Sequence, residues 1–312
     1  MISKDERIAQ IEYVVQNSDN VRINQDNIDA YVNSLKIENN TYWLNHSKLE
    51  LSEKELILLM FIIESMNFCF WKKPFIEIDF KGEHHKRSMA MFYSVINKAL
   101  IDKAFLKINN LLQLTKEELI TIFGGKNDLH LTNERYSNLI ETVKIIYNKK
   151  DSFYSELFSL DTDEKILNYI ITNFPSFNDV SEYKGKKICF YKRATLLVRD
   201  LFEVSDTIKS NIKNTDNMLG CADYGIPRTL RHYGILEYND SLSNMVDNKI
   251  EIAHNSNYEI EIRANMMWAL ELIKNKLLEK NIIVNSVLLD SLIWLTGRDI
   301  QGEHHLTETI YY

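Results

Sequence analysis

One fifteen-residue stretch, GCADYGIPRTLRHYG at 220–234, gathers residue types that can do chemistry next to residues that build turns. It holds three glycines and one proline, although the chain of 312 residues has only 9 glycines and 3 prolines. Pro227 suits the first turn of a helix and Gly234 suits a left-handed cap, which predicts a short helix over 227–233. Asp223 lies in the loop before it, where backbone N–H groups and the helix dipole favour an ionised carboxylate. That carboxylate either forms an Asx turn at the helix entry or serves a site.

A second acidic residue, Asp290, interrupts the segment Val287-Leu-Leu-Asp-Ser-Leu-Ile-Trp-Leu295, which is typical of a buried helix. A carboxylate in such a helix is costly unless it is paired or hydrogen-bonded. Helical spacing places it on the same face as Trp294, four residues later. Asp290 therefore either caps another element or serves a site, and both readings remain open.

Two adjacent cations, Lys192 and Arg193, open an amphipathic helix. Cations at a helix start oppose the macrodipole, which suggests an anion or a carboxylate partner outside the helix. Solvated basic residues are the alternative. Further along the chain, Glu261 and Arg263 are typical of a buried ion-pair network.

Two other patterns are discounted as sites. The pairs His84-His85 and His304-His305 lack the spacing and the further ligands of a metal site, so no metal or other cofactor is predicted. Gly124-Gly125-Lys126 lacks the full phosphate-loop pattern and predicts a helix stop instead.

Composition limits the function classes. A net charge of −7 repels a polyanion, so DNA duplex binding is not expected, whereas a small anion in a locally basic pocket remains possible. The three cysteines form no C-x-x-C pair, which fits a reducing cytoplasm. The longest apolar run, 56–63, is too short for a membrane helix, so no membrane partner is expected.

Helical periodicity dominates and predicts a mainly α fold. The long predicted helices cover 27–36, 53–71, 88–103, 115–123, 132–148, 163–173, 192–210, 260–280 and 285–296. A small β-hairpin is predicted near 75–88 around Lys81-Gly82, and an extended piece at 187–191 follows the Lys184-Gly185 turn. A division into an N-terminal helical lobe (1–150) and a C-terminal helical lobe (151–312) is one interpretation, and a single continuous domain is the other.

Six short motifs occur in an order that matches a known family. They are Asn67-Phe-Cys-Phe-Trp71, Phe190-Tyr-Lys-Arg-Ala194, Ala222-Asp-Tyr-x-Ile-Pro227, Glu259-Ile-Glu-Ile-Arg263, Leu288-Leu-Asp-x-x-x-Trp294 and Ile310-Tyr-Tyr312. Each motif alone is weak, but the ordered set is specific. The chain resembles the queuosine salvage proteins, the queuosine 5′-phosphate N-glycosylase/hydrolase family, from about residue 40 onward.

The resemblance implies a helical, DNA-glycosylase-like fold and metal-free hydrolysis of queuosine 5′-monophosphate to queuine and ribose 5-phosphate. By this matching Asp223 is the catalytic aspartate, His46 contacts the base and Asp290 is an acidic contact to the 7-deazaguanine. Lys192 and Arg193 are candidates for the 5′-phosphate on charge and position. The expected partner is a small nucleotide, and the expected state is a monomer.

Four positions depart from the pattern of this family. Ser291 and Leu295 replace a Tyr and an Asp, Gly225 replaces an Arg and Cys221 replaces a Phe. By the same matching Cys221, Ser291 and Leu295 lie at substrate-binding positions. These departures suggest a related 7-deazaguanosine monophosphate as an alternative substrate. A noncatalytic nucleotide-binding or scaffold protein is the alternative function, and DNA base excision conflicts with the charge.

Overall fold

Helices make up most of the described chain. The computed structural model describes residues 1–35, 49–125, 129–208, 210–298 and 300–312. Its α-helices there are α1 (Lys4–Gln16), α2 (Asp26–Ser34), α3 (Glu53–Ser65), α4 (Arg87–Ile101), α5 (Ile108–Gln113), α6 (Lys116–Ile122), α7 (Thr132–Lys149), α8 (Asp151–Ser159), α9 (Asp163–Asn173), α10 (Lys192–Glu203), α11 (Ser205–Ile208), α12 (Gly225–His232), α13 (Asp240–Asp247), α14 (Asn257–Glu279) and α15 (Ser286–Gly297). The prediction of a mainly α fold is confirmed.

The strands of the described residues form three small antiparallel pairs. They are β1 (Val21–Ile23) with β6 (Leu236–Tyr238), β2 (Glu77–Phe80) with β3 (Glu83–Lys86), and β4 (Val180–Tyr183) with β5 (Lys186–Cys189). The predicted hairpin near 75–88 is confirmed as β2–β3. The predicted extended piece is confirmed as β5, which pairs with β4 across the Lys184-Gly185 turn.

Two predicted helices end earlier than their periodicity indicates. The helix predicted over 53–71 ends at Ser65, because Arg135 on α7 donates to the carbonyls of Met66, Phe68 and Cys69. Tertiary hydrogen bonds thus replace the next helical turn. The helix predicted over 192–210 ends as α10 and continues after a break as the short α11.

Both predicted glycine stops are confirmed. Gly124 and Gly125 follow α6 with φ of 106° and 67°. Gly234 follows α12 with φ of 67°, and the next N–H, of Ile235, donates to the Leu230 carbonyl over 2.8 Å. A left-handed residue costs glycine little, so the chain can reverse direction at both places.

The buried apolar residues form two cores. The first surrounds α3, whose residues 56–63 are all buried, and α3 packs against α4, α7 and α10. The second surrounds α14, which packs against α1, α2, α12 and α15. Each fully buried leucine or isoleucine contributes about 1.5–3 kcal/mol through burial. The site described below includes residues of α10, α15 and the loop before α12, and Arg199 of α10 reaches Ser291 of α15.

Each of the two cores contains residues from both halves of the chain. Helices α1 and α2 contribute to the second core, whereas α9 and α10 contribute to the first. The division into lobes 1–150 and 151–312 stays a prediction. The likeness to DNA glycosylases also stays a prediction. No described helix combines the length and apolar character that crossing a bilayer requires.

Candidate active site

Asp223 lies in the loop before α12, and its carboxyl is anchored through one oxygen, Oδ1. Its Oδ1 accepts from the backbone N–H of Gly225 over 2.8 Å and of Ile226 over 3.3 Å. The residue therefore makes the Asx turn that starts α12, two residues earlier than predicted. Among the described residues no group donates to Oδ2, and Asp223 is partly exposed. One oxygen thus fixes the side chain of a partly exposed residue, so the structural and functional readings of Asp223 are compatible.

Asp290 on α15 binds the backbone of the same loop. Its Oδ2 accepts from the backbone N–H of Cys221 over 2.7 Å, and the residue is 5% exposed. Burial, and secondly the charge of Asp223, raise the pKa of Asp290 to about 8. Near neutral pH the Asp290 carboxyl is therefore mostly protonated. The fold brings the two acids predicted from separate segments into one site.

The loop carrying Asp223 fits closely against its neighbours. A Cβ at Gly220 would lie 2.2 Å from Cδ1 of Leu270, so a side chain there would require the buried Leu270 on α14 to shift. A Cβ at Gly225 would lie 3.1 Å from Cδ1 of Trp294 and 3.6 Å from Oδ1 of Asp223. The absence of a side chain at Gly225 therefore lets the Trp294 indole approach the Asp223 carboxylate.

Two predicted base-contacting residues lie on the exposed part of α15. Ser291 and Leu295 are partly exposed, as is Trp294 beside them. Ser291 Oγ donates to the Val287 carbonyl over 3.1 Å and accepts from Nη1 of Arg199 over 3.4 Å. This face of α15 is therefore accessible, and Arg199 of α10 reaches it.

The two cations at the start of α10 separate in the structure. Lys192 is 6% exposed, and its Nζ lies 3.4 Å from the Asn67 carbonyl oxygen. Arg193 is 1% exposed, and its guanidinium donates to the carbonyls of Glu64, Ser65 and Ser176. Arg193 thus satisfies the open carbonyls at the end of α3, which leaves Lys192 as the better placed candidate for an anion.

A family model described as "Queuosine salvage protein" matches residues 46–312 of this chain. The chain belongs to the queuosine salvage protein family. The match includes the Asp223 loop, α10 and α15, so the residues just described all fall within the family region.

Curated relatives have the same length range and one printed name. A queuosine 5′-phosphate N-glycosylase/hydrolase of Sphaerobacter thermophilus is 28% identical over 257 residues, 80% of each chain. Proteins of that name from Dictyostelium discoideum and Bos taurus are 25% and 29% identical. Their alignments cover 95% of both chains for the first and 81% of this chain and 80% of the relative for the second.

Two further residues, His46 and Cys221, were predicted to belong to the site. His46 lies outside the described residues. Cys221 is 2% exposed, and burial, followed by the charge of Asp290, raises the pKa of its thiol well above the usual range. Cys221 therefore contributes its backbone N–H to the site rather than a reactive thiolate.

Three charged residues that interact with one another beside Lys192 were not singled out as site residues from the sequence. They are Arg199, Asp200 and Glu64. Arg199 donates to Oδ1 of Asp200 from both Nε and Nη2, over 3.1 and 2.9 Å. Glu64 at the end of α3 is fully buried, and both of its oxygens accept from Asn67 Nδ2. Burial, and secondly the charge of Asp200, raise the pKa of Glu64. A glutamate directly after the apolar run 56–63 was the available signal, whereas nothing in the sequence places Arg199 against α15.

A stacked pair of aromatic rings lies beside the Asp223 loop. The His304 ring stacks on Tyr224, the residue after Asp223, with centroids 4.6 Å apart and planes 28° apart. Burial lowers the pKa of His304, so the stacked imidazole is neutral near pH 7. Within the described residues no group of three His, Cys, Asp or Glu side chains is arranged to hold a metal ion.

Proposed function

We propose that this chain hydrolyses the N-glycosidic bond of queuosine 5′-monophosphate, or of a related 7-deazaguanosine monophosphate. The products are the free base and ribose 5-phosphate, and the base is then available for tRNA modification. One observation carries the proposal. In a family whose relatives are named for this reaction, Asp223 is anchored through Oδ1 and is partly exposed at the start of α12.

The chemistry suits an anchored carboxylate. Cleavage breaks the bond between the anomeric carbon and the base nitrogen, and the electron pair leaves with the base. The sugar becomes oxocarbenium-like, and a carboxylate next to the anomeric carbon stabilises that charge or bonds to it. The oxygen of water then bonds to the anomeric carbon, and the proton from water balances the departing base. We assign this role to the carboxylate of Asp223.

A 7-deazaguanine is a poor leaving group because its position 7 is carbon and cannot be protonated. Recognition of the other edges of the base must therefore contribute more. Asp290 has Oδ2 engaged by Cys221, which leaves Oδ1 to accept from the guanine-like N–H groups. Trp294, partly exposed beside Asp223, offers an aromatic surface for the base.

We assign the 5′-phosphate to Lys192, whose charge acts on the carboxyl of Asp290 and the thiol of Cys221. Arg193 is assigned a supporting role, because its guanidinium binds backbone carbonyls. Ser291 and Leu295 are assigned to substrate choice, since both lie on the accessible face of α15. His46 remains a proposed base contact by its place in the family pattern.

A noncatalytic nucleotide-binding protein is the second candidate, and the altered residues Cys221, Gly225, Ser291 and Leu295 are the reason to test it. We further propose that the protein acts as a monomer in the cytoplasm, without a DNA duplex or membrane partner. The net charge of −7 and the three unpaired cysteines support those expectations.

Separation of the released base by liquid chromatography tests the function. Queuosine 5′-phosphate, queuosine and a plain 7-deazaguanosine 5′-phosphate are each incubated with the wild type and with Asp223→Asn. We expect base release from a phosphorylated substrate by the wild type only, with nucleotide binding retained in the variant. Binding without release by the wild type would establish the noncatalytic alternative, and a fully active Asp223→Asn would refute the catalytic role of Asp223.

A further inference from the structure

A buried cation on α14 binds the backbone of the catalytic loop. Nε of Arg263 donates to the carbonyl of Ala222 over 3.1 Å, and Ala222 directly precedes Asp223. Arg263 is 0% exposed, so this hydrogen bond is shielded from water. A bond from a charged donor is strong in such surroundings.

The guanidinium of Arg263 is itself in contact with two carboxylates and two aromatic rings. Its Nη1 and Nη2 donate to Asp179 over 3.1 and 2.6 Å, and Nη1 lies 3.5 Å from Oε1 of Glu259. The rings of Phe190 and Tyr312 lie 4.0 and 4.3 Å from its central carbon. All three nitrogen atoms are used in one fixed plane, which the single ammonium group of lysine cannot reproduce.

The same carboxylate also holds the start of α10. Oδ2 of Asp179 accepts from the backbone N–H of Lys192 over 3.2 Å. The Asp179 carbonyl accepts from the N–H groups of Phe190 and Tyr191 over 3.1 and 3.2 Å. Asp179 and Arg263 together therefore connect the backbone at Asp223 to the backbone at Lys192.

We infer that Arg263 is a positioning residue for the glycosidic reaction, because with Asp179 it sets the place of Asp223 relative to Lys192. The inference rests on the proposed function of this site. A buried ion pair adds little net stability compared with apolar packing of similar volume. Its main effect is therefore on geometry, and an error of about 1 Å in the position of a catalytic group can cost roughly 100-fold in rate.

The chain provides a matched control on the same helix. Glu261 is also 0% exposed and also holds backbone, since its Oε2 accepts from the N–H groups of Asn20 and Val21 over 2.7 and 3.2 Å. Its Oε1 accepts from the Tyr183 hydroxyl over 2.8 Å. None of these partners belongs to the catalytic loop, so Glu261→Gln disturbs buried polar structure without touching Asp223.

Steady-state kinetics, melting temperature and base affinity of Arg263→Lys and Glu261→Gln test the inference. We expect Arg263→Lys to lower kcat about 10- to 100-fold while the affinity for the free base, measured by calorimetry, stays close to wild type. Glu261→Gln should lower the melting temperature by a similar amount and leave kcat unchanged. Equal kcat in Arg263→Lys and wild type overturns the inference, as does a loss of kcat in both variants that follows their melting temperatures.

A second pair of variants covers the case in which Arg263→Lys does not fold. Tyr312→Phe keeps the ring on the Arg263 guanidinium, whereas Tyr312→Leu removes it. We expect kcat to fall several-fold in Tyr312→Leu and to recover in Tyr312→Phe, and equal kcat in the two contradicts the inference. If the wild type itself releases no base, the proposed function fails. An active wild type with an unaffected Arg263→Lys removes only the positioning role.

Discussion

The backbone N–H of Cys221 donates to Oδ2 of Asp290 over 2.7 Å, two residues before Asp223. This bond joins the two carboxyl groups of the site through one short loop. Asp223 accepts from two N–H groups at the start of α12, whereas burial and then the charge of Asp223 raise the pKa of Asp290 to about 8. The fold thereby places an anchored, partly exposed carboxyl and a buried carboxyl with a raised pKa on one short loop, and such unlike surroundings allow two carboxyls to take different roles.

Binding of the free base should release a proton from Asp290. The N–H donors of a 7-deazaguanine favour the ionised carboxylate and therefore lower the pKa of Asp290 from about 8. Titration calorimetry of the free base at neutral pH, in buffers of different ionisation enthalpy, measures the protons released. We expect approximately one proton from wild type and none from Asp290→Asn. Equal proton release in the two proteins would exclude Asp290 as the titrating base contact.

The stability of Asp290→Asn relative to wild type should rise with pH. The pKa of Asp290 is raised above its unfolded value, from 3.8 to about 8, so between these values the folded state keeps a proton that the unfolded state releases. Its contribution to the free energy of unfolding is full below the lower value and is lost as the pH rises to the upper one. The amide that replaces the carboxyl in this variant can still accept from Cys221 but does not titrate. Urea unfolding across this pH window measures the difference, and a difference independent of pH contradicts the raised pKa.

A methyl group at Gly225 should displace Trp294 and weaken catalysis. The added Cβ would lie 3.1 Å from Cδ1 of Trp294, closer than ordinary contact. Alanine is otherwise a better helix residue than glycine by about 1 kcal/mol, so a large loss of stability is not expected. We expect Gly225→Ala to lower kcat/KM about 10-fold or more. Adding Trp294→Phe should restore part of it by making room. Unchanged kcat/KM in Gly225→Ala would show that the Trp294 position is not critical.

Lys192 and Arg193 should fail in different ways when each is replaced by methionine. If Lys192 binds the 5′-phosphate, Lys192→Met loses a charge-assisted bond worth about 1.5–3 kcal/mol, roughly 10- to 100-fold in kcat/KM. That loss should appear with queuosine 5′-phosphate and be small with unphosphorylated queuosine. Arg193→Met instead leaves buried carbonyls unpaired and should destabilise the fold by about 3 kcal/mol. Substrate comparison and urea unfolding separate the two, and a phosphate-selective loss in Arg193→Met would reverse the assignment.

Local sequence patterns predicted most of the helices and drew attention to Asp223 and Asp290. Apolar periodicity located α3, α7, α9 and α14, and the Pro227–Gly234 spacing located α12 to within two residues. The missed helices α1, α5, α8 and α13 had weaker signals, although the capping box of Ser3 and Glu6 before α1 was available. The β1–β6 pair was missed because its strands come from the first and the last third of the chain, and no local signal reports such pairing.

The sequence alone located the Asp223 loop, because Gly, Asp and Pro there have strong local preferences that do not depend on the rest of the chain. It also determined that a buried acid on α15 needs a partner, since an isolated carboxyl in an apolar helix is costly. Only the tertiary structure decided that the partner is the N–H of Cys221, and that Arg193 turns away to the end of α3. Those outcomes depend on packing, which brings particular carbonyl and N–H groups within about 3 Å of a side chain. The spacing of residues along the sequence does not predict which groups meet at that distance.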